Sequence, residues 1–293
     1  MSQHKLPDTA QDDALPPFYY LTDKRMPYFQ TTPREIFLII NSLKVNKATG
    51  PDGISNRMLK LSAPSICQSL AIVFNQIIST GIFPIDWKKA NVSPIFKSVD
   101  RQLVENYRPI SLLSNVSKVF ERVIYKKMYE FLNANGLLTS KNAGYKKNYS
   151  TVSQLLSITQ KIYEGLDNNK HIRMVFLDAS KAFDRVWHSG LFYKLAQLGI
   201  ENQLLQLLRS YLKDRTQRVV INGFSSSWKP VSAGVPQGSI LGPLLFLVYT
   251  NDIVNYIQSD INLYADDTSL LHISSDPIET AMDLNSDLDI LQR

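Results

Sequence analysis

Two apolar segments that lead into aspartates constrain the fold of this chain more than any other feature. Met174-Val175-Phe176-Leu177 runs into Asp178, and Asn262-Leu263-Tyr264 runs through Ala265 into the pair Asp266-Asp267. Short apolar runs predict strands, and an acidic pair between two such runs predicts the tip of a hairpin. We therefore expect a small antiparallel sheet in which the strand before Asp178 lies beside this hairpin.

The acidic pair has two interpretations. Asp is common in solvated turns because its side chain bonds to nearby backbone groups. However, Leu263 and Tyr264 precede the pair and Leu270 and Leu271 follow it, so we expect a largely buried hairpin. Adjacent carboxylates in such a place repel each other and are poorly solvated unless a cation joins them. Together with Asp178 they offer the oxygen ligands that Mg²⁺ or Mn²⁺ prefers.

Composition and charge set the broad class of the protein. The chain has 293 residues, 44% of them hydrophobic, and a formal net charge of +6, which suits a polyanionic partner. Its single cysteine, Cys67, excludes an internal disulfide and indicates a reducing compartment or no dependence on redox state. We expect an intracellular protein, of the nucleus or cytoplasm, with no disulfide-linked partner. The apolar stretch around 241–249 contains Pro243 and is too short to cross a bilayer, so we expect no membrane insertion.

Periodicity predicts a helix-rich front half and a mixed back half, which is an α+β pattern. The predicted helices cover residues 32–43, 65–80, 114–135, 151–166 and 191–198, with a further helix after Ser239 and an amphipathic one at the end. The predicted strands are 172–177, 262–264 and 268–272, together with a hairpin around Asn222-Gly223.

Three short motifs resemble those of reverse transcriptases and occur in the same order. They are Phe176-Leu177-Asp178-Ala179-Ser180-Lys181-Ala182-Phe183-Asp184, Gly234-Val235-Pro236-Gln237-Gly238-Ser239 and Tyr264-Ala265-Asp266-Asp267, which resemble the first carboxylate motif, the PQG motif and the Y-x-D-D box. Three flanking segments are typical of non-LTR (LINE-like) retrotransposons of the Jockey and CR1 type, namely residues 46–54, 106–113 and 183–188. The resemblance extends from about Asn46 to Leu271.

This resemblance implies the right-hand polymerase fold. Residues 1–30 would form a loose N-terminal lead-in, residues 31–170 helix-rich fingers with an N-terminal extension, and residues 171–293 a palm with a small antiparallel sheet. The same resemblance leads us to expect that the palm is cut short before its last strand and that the thumb is absent.

The resemblance also implies roles for the motif residues. Asp178 and Asp266 would be the principal ligands of two Mg²⁺ (or Mn²⁺) ions, with Asp267 a less direct ligand. Phe183 would be the steric gate that favours deoxynucleotides, although an ordinary core aromatic is the alternative. Gln237 would contact the incoming nucleotide.

Glycines and cations of the flanking motifs receive binding roles in the same way. Gly238 and Gly234 would let the backbone approach nucleotide and template closely, and Tyr264 and Lys146 would contact template or primer. Lys146 stands where the family usually has arginine, so it lacks the planar fork of a guanidinium. Arg108 and Lys97 would neutralise the triphosphate, although Lys97 is equally consistent with a solvated surface lysine. Asp184 would be a structural partner of a nearby basic group.

The resemblance therefore implies an RNA-directed DNA polymerase that takes an RNA template, a DNA primer and dNTPs. A non-catalytic nucleic-acid-binding remnant, or a domesticated fragment of such an enzyme, is the alternative. An RNA-templated RNA polymerase of viral type is a third possibility, and Phe183 and Ala265 argue against it.

Overall fold

The structure of the protein, a computed structural model, describes residues 15–97, 99–146 and 149–292. The helices of this part are α1 (Pro33–Asn41), α2 (Asn56–Thr80), α3 (Asn115–Ala134), α4 (Thr151–Asp167), α5 (His188–Gln197), α6 (Asn202–Leu212), α7 (Leu241–Tyr249) and α8 (Pro277–Gln292). The strands are β1 (Lys89–Phe96), β2 (Tyr107–Leu112), β3 (His171–Asp178), β4 (Arg215–Ile221), β5 (Phe224–Ser225), β6 (Lys229–Val231), β7 (Asp260–Tyr264) and β8 (Asp267–Ser274). This mixture of helices and sheets is the α+β class that the sequence predicts.

The chain divides into two compact units, each built from separate stretches of sequence. The first unit runs up to Asn135 and resumes over Asp184–Gly242, and the second comprises Gly136–Phe183 and everything described from Pro243 onward. These divisions do not follow the boundaries at residues 30 and 170 that the resemblance implies. The assignment of fingers and palm to those ranges stays a prediction.

The first unit contains a five-stranded sheet in the order β2-β1-β4-β5, with β6 also paired to β4. Strands β1 and β2 lie in the helix-rich front half, where the sequence pattern predicted no strand. The reason is local: Pro94 and Pro109 lie directly opposite each other in the ribbon. A proline in a sequence pattern argues against a strand, because proline has no backbone N–H to donate. It is tolerated where the missing N–H removes few hydrogen bonds between strands.

The core of the first unit contains a cluster of aromatic rings, one of which belongs to α2. Its rings lie edge-on or tilted with centroids 4.9–6.1 Å apart and belong to Phe74, Phe83, Trp87, Phe120 and Tyr211. Helix α2 begins at Asn56, not near residue 65, with Ser55 accepting a bond from the backbone of Met58. Pro64 lies inside this helix, and buried residues at helical spacing on both sides of it stabilise the helix through the proline.

One helix of the described part, α2, is long and apolar enough to cross a membrane by length and composition alone. Core helices of soluble proteins pass the same test, and the side chains of Ala63, Cys67, Ala71 and Phe74 are buried against the first unit.

Helix α6 was not predicted, although its leucines recur at helical spacing and Leu207 and Leu208 are buried.

The second unit is a three-stranded antiparallel sheet in the order β3-β8-β7, covered by α8 and contacted by α4. Its core contains Ile261, Leu263, Leu270 and Leu284. Strand β3 forms where the sequence predicts it, but it is an edge strand and not a buried one, since Phe176 is 75% exposed. Asp287 of α8 is fully buried and accepts bonds from the backbone N–H groups of Gln258 and Ser259 at 2.9 and 2.8 Å.

Residues 15–30 form no regular element but are attached to the first unit. The backbone N–H of Leu21 donates to the carbonyl of Gln197, and that of Met26 donates to the carbonyl of Gly199, each at 2.9 Å. This stretch is therefore tied down, contrary to the loose lead-in that we expected. The first part of that lead-in, residues 1–14, lies outside the described residues.

We predict that Phe74→Ala lowers the free energy of unfolding by about 3–5 kcal/mol, because it removes a fully buried ring and leaves a cavity. The matched control is Ile72→Ala on the same helix, where the side chain is 65% exposed and the expected change stays within about 0.5 kcal/mol. Denaturant unfolding of the two variants measures both effects. Equal destabilisation by the two substitutions would contradict this description of the core.

Candidate active site

Three carboxylates lie at one end of the sheet of the second unit. Asp178, the last residue of β3, is the direct cross-strand partner of Asp267, the first residue of β8. Asp267 is also paired with Tyr264 of β7, so Ala265 and Asp266 form a two-residue turn. The strand before Asp178 therefore lies beside the hairpin, as the sequence predicts.

The carboxylates of this site are in contact with solvent. Leu263, Leu270 and Leu271 are at most 2% exposed, so the apolar flanks of the hairpin are buried as expected. Asp178 and Asp267 are nevertheless exposed and Asp266 is half-buried, because they stand at the end of the sheet and not within it. We expected the acidic pair to be poorly solvated and therefore to require a cation. The pair is in contact with solvent, so this expectation of poor solvation is wrong.

The donor set fits a divalent cation by chemistry and by backbone placement. Carboxylate oxygens are the ligands that Mg²⁺ and Mn²⁺ prefer, and the strand register brings the three acidic residues to one end of one sheet. Across residues 15–97, 99–146 and 149–292, however, no three His, Cys, Asp or Glu side chains converge closely enough to hold a metal ion. Ligation would therefore require Asp178, Asp266 or Asp267 to change rotamer, which their solvent contact permits.

A short segment before α4 supports the turn that carries the acidic pair. Residues 141–143 run alongside β7: Leu263 donates to the carbonyl of Lys141 and Ala143 donates to the carbonyl of Leu263, both at 2.9 Å. The segment ends at Gly144, where a β-carbon would overlap the backbone nitrogen of Ala265. Only glycine permits this approach. Sequence analysis assigned no role to Gly144, although its place in the Asn-Ala-Gly segment was the available signal.

Lys146 is engaged with its own unit. Its ammonium group donates to the backbone carbonyl of Thr139, and burial lowers the pKa of Lys146. The ammonium also lies 5.7 Å from the centre of the Tyr149 ring. These contacts occupy the cation in the structure, and its contact with template or primer stays a prediction.

Tyr264 is half-buried beside the acidic turn, and its own role stays a prediction too.

Phe183 lies in an aromatic cluster of the second unit. Its ring is stacked on Phe246 with centroids 4.5 Å apart, and the ring of Tyr145 meets it edge-on at 6.0 Å. Only 8% of Phe183 is exposed. The core role that we considered as the alternative thus describes its packing, and the gate role stays a prediction.

The PQG motif forms a loop in the first unit that is bonded to β2 and to Asp184. The backbone N–H of Ser111 donates to the carbonyl of Gln237 at 2.7 Å, and the side-chain amide of Gln237 donates to the carboxylate of Asp184 at 3.3 Å. Asp184 therefore has a neutral amide among its partners, where we expected a basic group. This bond orients the side chain of Gln237.

Both glycines of the PQG motif approach the protein's own backbone. A β-carbon at Gly234 would stand 2.7 Å from the backbone of Asp184, and one at Gly238 would stand 2.5 Å from the carbonyl oxygen of Ser111. Both glycines have positive φ angles, 85° and 117°. We expected them to admit nucleotide and template, whereas the close approaches in the structure are to the chain itself. The ring of His188 adds a bond of 2.8 Å to the carbonyl of Gly234.

Lys97 and Arg108 lie on one face of the β1–β2 ribbon. Arg108 is paired with Ile95, and the backbone of Lys97 bonds to Asn106 just beyond the ladder. Side chains two residues apart on a strand share a face, so the two cations are diagonal neighbours. Both are exposed, while the opposite face carries the buried Ala90 and Val92.

The same face extends to a cation and an aromatic ring that the sequence analysis missed. Asn91 of β1 is paired with Arg218 of β4, whose guanidinium donates to the Asn91 side chain at 2.9 Å and lies 4.7 Å from the centre of the Trp228 ring. The open face of this sheet thus presents Lys97, Arg108, Arg218 and Trp228.

The structure divides the predicted site residues between the two units. The second unit contains Asp178, Phe183, Tyr264, Asp266, Asp267 and Lys146, and the first contains Lys97, Arg108, Gly234, Gln237 and Gly238. Within the first unit, the bond between Ser111 and Gln237 connects the strand of Arg108 to the PQG loop.

The sheet with its terminal carboxylates and the PQG loop define a class of protein. Residues 88–288 match the family described as reverse transcriptase (RNA-dependent DNA polymerase), and the chain belongs to this family.

Curated relatives indicate the branch of the family. The chain is 34% identical to the RNA-directed DNA polymerase from mobile element jockey of Drosophila melanogaster, over 92% of this chain and 30% of that protein. It is 36% identical to the probable RNA-directed DNA polymerase from transposon BS and 37% identical to that from transposon X-element, both of Drosophila melanogaster. Those matches cover 88% and 82% of this chain and 29% and 26% of the relatives.

These matches confirm the resemblance to the reverse transcriptases of non-LTR retrotransposons. The chain spans less than a third of the length of these curated relatives. Among solved structures, an apo telomerase from Candida tropicalis matches with a TM-score of 0.49 at 14% identity. The match covers 71% of this chain and 47% of the telomerase chain. That similarity is too remote to support a conclusion about this chain.

We predict that Gly144→Ala moves the acidic turn, since the added methyl group overlaps the backbone of Ala265, and that it costs about 1–3 kcal/mol of stability. The amide NMR signals of Leu263 and Ala265 should then shift strongly. The control is Gly136→Ala in the same unit, where a β-carbon meets open space and only a φ of 64° is strained. It should leave those signals in place. If both variants perturbed the turn alike, Gly144 would have no specific part in supporting it.

Proposed function

We propose that the chain is the nucleotidyl-transferring part of an RNA-directed DNA polymerase of a non-LTR retrotransposon, which adds dNTPs to the 3′-hydroxyl of a DNA primer on an RNA template. The observation that carries the proposal is the position of Asp178, Asp266 and Asp267 at one end of a single sheet, in a chain of the reverse transcriptase family. Phosphoryl transfer needs positioning and charge stabilisation more than covalent chemistry, and divalent cations held by these carboxylates would supply both.

In this proposal Asp178 and Asp266 are the principal ligands of two Mg²⁺ or Mn²⁺ ions and Asp267 is a less direct ligand. Ions held there would activate the primer hydroxyl and stabilise the leaving pyrophosphate. The protein holds the carboxylates at the end of the β3-β8-β7 sheet, where Asp178 and Asp267 are exposed and Asp266 is half-buried. Gly144 and Ala265 keep the turn in place beneath them.

Residues of the first unit would bind the nucleotide. The exposed guanidinium of Arg108 and ammonium of Lys97 share one face and suit the triphosphate, with arginine offering a bidentate fork. Gln237 would contact the nucleotide with a side chain oriented by Asp184. The guanidinium of Arg218 and the ring of Trp228 suit the phosphates and bases of a single strand.

The remaining assignments follow the family. We propose that Tyr264, Gly234 and Lys146 lie near template or primer and that Gly238 shapes the nucleotide site. The right-hand arrangement, with fingers over 31–170 and a palm over 171–293, is part of the same proposal. So is an intracellular location, in nucleus or cytoplasm.

We predict that Asp266→Asn lowers the rate of dNTP incorporation by about 10³-fold, because loss of a ligand charge removes several kcal/mol of transition-state stabilisation. Primer extension on an RNA template with Mg²⁺ measures it. The matched control is Asp289→Asn, which removes the same charge from an exposed position on α8 of the same unit and should leave the rate within about twofold.

Two results would contradict the proposal. Equal extension by the parent and Asp266→Asn would exclude a catalytic role for this carboxylate. Salt-dependent binding of a primer–template with no extension under Mg²⁺ or Mn²⁺ would favour the non-catalytic nucleic-acid-binding alternative.

We predict that Phe183→Val raises the ratio of rNTP to dNTP incorporation by about tenfold or more, if the ring edge excludes a 2′-hydroxyl as proposed. The control is Phe246→Leu, which weakens the same aromatic stack without removing the ring at position 183. Both variants should lose thermal stability, and only Phe183→Val should lose sugar discrimination. A stability loss with unchanged discrimination would assign Phe183 to the core alone.

A further inference from the structure

Glu121 is a carboxylate enclosed in the first unit that no proposed step uses. It lies on α3, and its side chain has 0% exposure. Burial of a charge is unfavourable unless hydrogen bonds replace the lost water, so a fully enclosed glutamate should have several donors around it. The structure supplies four.

Two of these donors are backbone N–H groups at the start of α7. Oε2 of Glu121 accepts from Ile240 at 2.8 Å and from Leu241 at 3.2 Å. The first N–H groups of a helix have no partner within the helix, and the helix dipole favours a negative charge there. Glu121 therefore caps α7 from a different element of the unit.

The other two donors are hydroxyl groups that fix the carboxylate. Ser117 donates to Oε1 at 3.1 Å from one turn earlier on α3, and Tyr211 of α6 donates to Oε2 at 3.3 Å. Burial, followed by the charge of Glu121, raises the pKa of Tyr211, so that its phenol keeps the proton that it donates. The carboxylate is thus held by three separate parts of the chain.

The helix that Glu121 caps follows directly after the PQG motif. Ser239 of that motif accepts a bond from the N–H of Gly242 and donates to the carbonyl of Pro236, both at 2.9 Å. On the other side, Ser111 donates to the carbonyl of Gln237. The loop is therefore fixed from β2 at Gln237 and from α3, through Glu121, at its exit.

We propose that Glu121 is a positioning residue for Gln237: its carboxylate fixes the first turn of α7 and thereby the direction in which the PQG loop presents the Gln237 amide. The consequence for nucleotide binding rests on the proposed function. Glutamine at position 121 keeps the volume but has one accepting oxygen and no charge, so it leaves the N–H groups of Ile240 and Leu241 less well satisfied.

The test is Glu121→Gln in the full chain with three measurements. Hydrogen exchange at the amides of Ile240 and Leu241 should accelerate by about tenfold or more, since a charged acceptor is lost. The side-chain amide signals of Gln237 should shift in NMR spectra. In primer extension the KM for dNTPs should rise by about tenfold, with kcat and primer–template affinity changed by less than about twofold.

The matched control is Asp287→Asn, which neutralises an equally buried carboxylate that accepts two backbone N–H bonds in the second unit. It should accelerate exchange at Gln258 and Ser259 and leave the Gln237 signals and the KM for dNTPs unchanged. A merely structural Glu121 would give Glu121→Gln the same profile, with faster local exchange but unmoved Gln237 signals, and that result overturns the proposal.

Failure of the proposed function is distinguishable from failure of this inference. If the parent chain incorporates no nucleotide, the proposed function fails, and the Gln237 signals alone decide whether Glu121 positions that side chain. If the parent is active and the KM for dNTPs is unchanged although the Gln237 signals shift, the link to nucleotide binding is overturned.

Discussion

The antiparallel ladder between β3 and β8 is the interaction on which the candidate site depends. Side chains alternate along a strand, so a slip of one residue in this ladder would send Asp178 to the face opposite Asp267. Core packing opposes such a slip: Val175 of β3 is the cross-strand partner of the buried Leu270 and packs against the core of the second unit. The carboxylates are therefore placed by apolar packing and backbone bonds a few residues away from them.

Local patterns predicted the elements that depend on local chemistry. Helices α3 and α4 are within two residues of their predicted ends, because Ser114 and Ser150 cap them and apolar residues recur at helical spacing. The hairpin at Asn222-Gly223 follows from two residues that tolerate positive φ. Strands β1 and β2 were missed because Pro94 and Pro109 hide the pattern, and the parallel pairing of β1 with β4 has no local signal at all.

The motifs identified the acidic residues but not their surroundings. Three features of these surroundings depend on partners distant in sequence. They are the exposure of Asp178, the stacking of Phe183 on Phe246 and the packing of Gly238 on Ser111. Glu121 illustrates the same limit. In the sequence it is one charge on an amphipathic helix, and only the fold shows that it is enclosed and bonded to the start of α7.

The pairing of β1 with β4 has a consequence for the order in which the chain folds during synthesis. Strand β1 ends at Phe96 and β4 begins at Arg215, so on a ribosome that adds about 5–20 residues per second the partner of β1 emerges on the order of ten seconds later. During that interval the β1–β2 ribbon has an open edge. Lysine and proline are residue types that discourage intermolecular strand pairing, and β1 carries both, at Lys89 and Pro94. These residues would protect the nascent chain from aggregation until its sheet is complete.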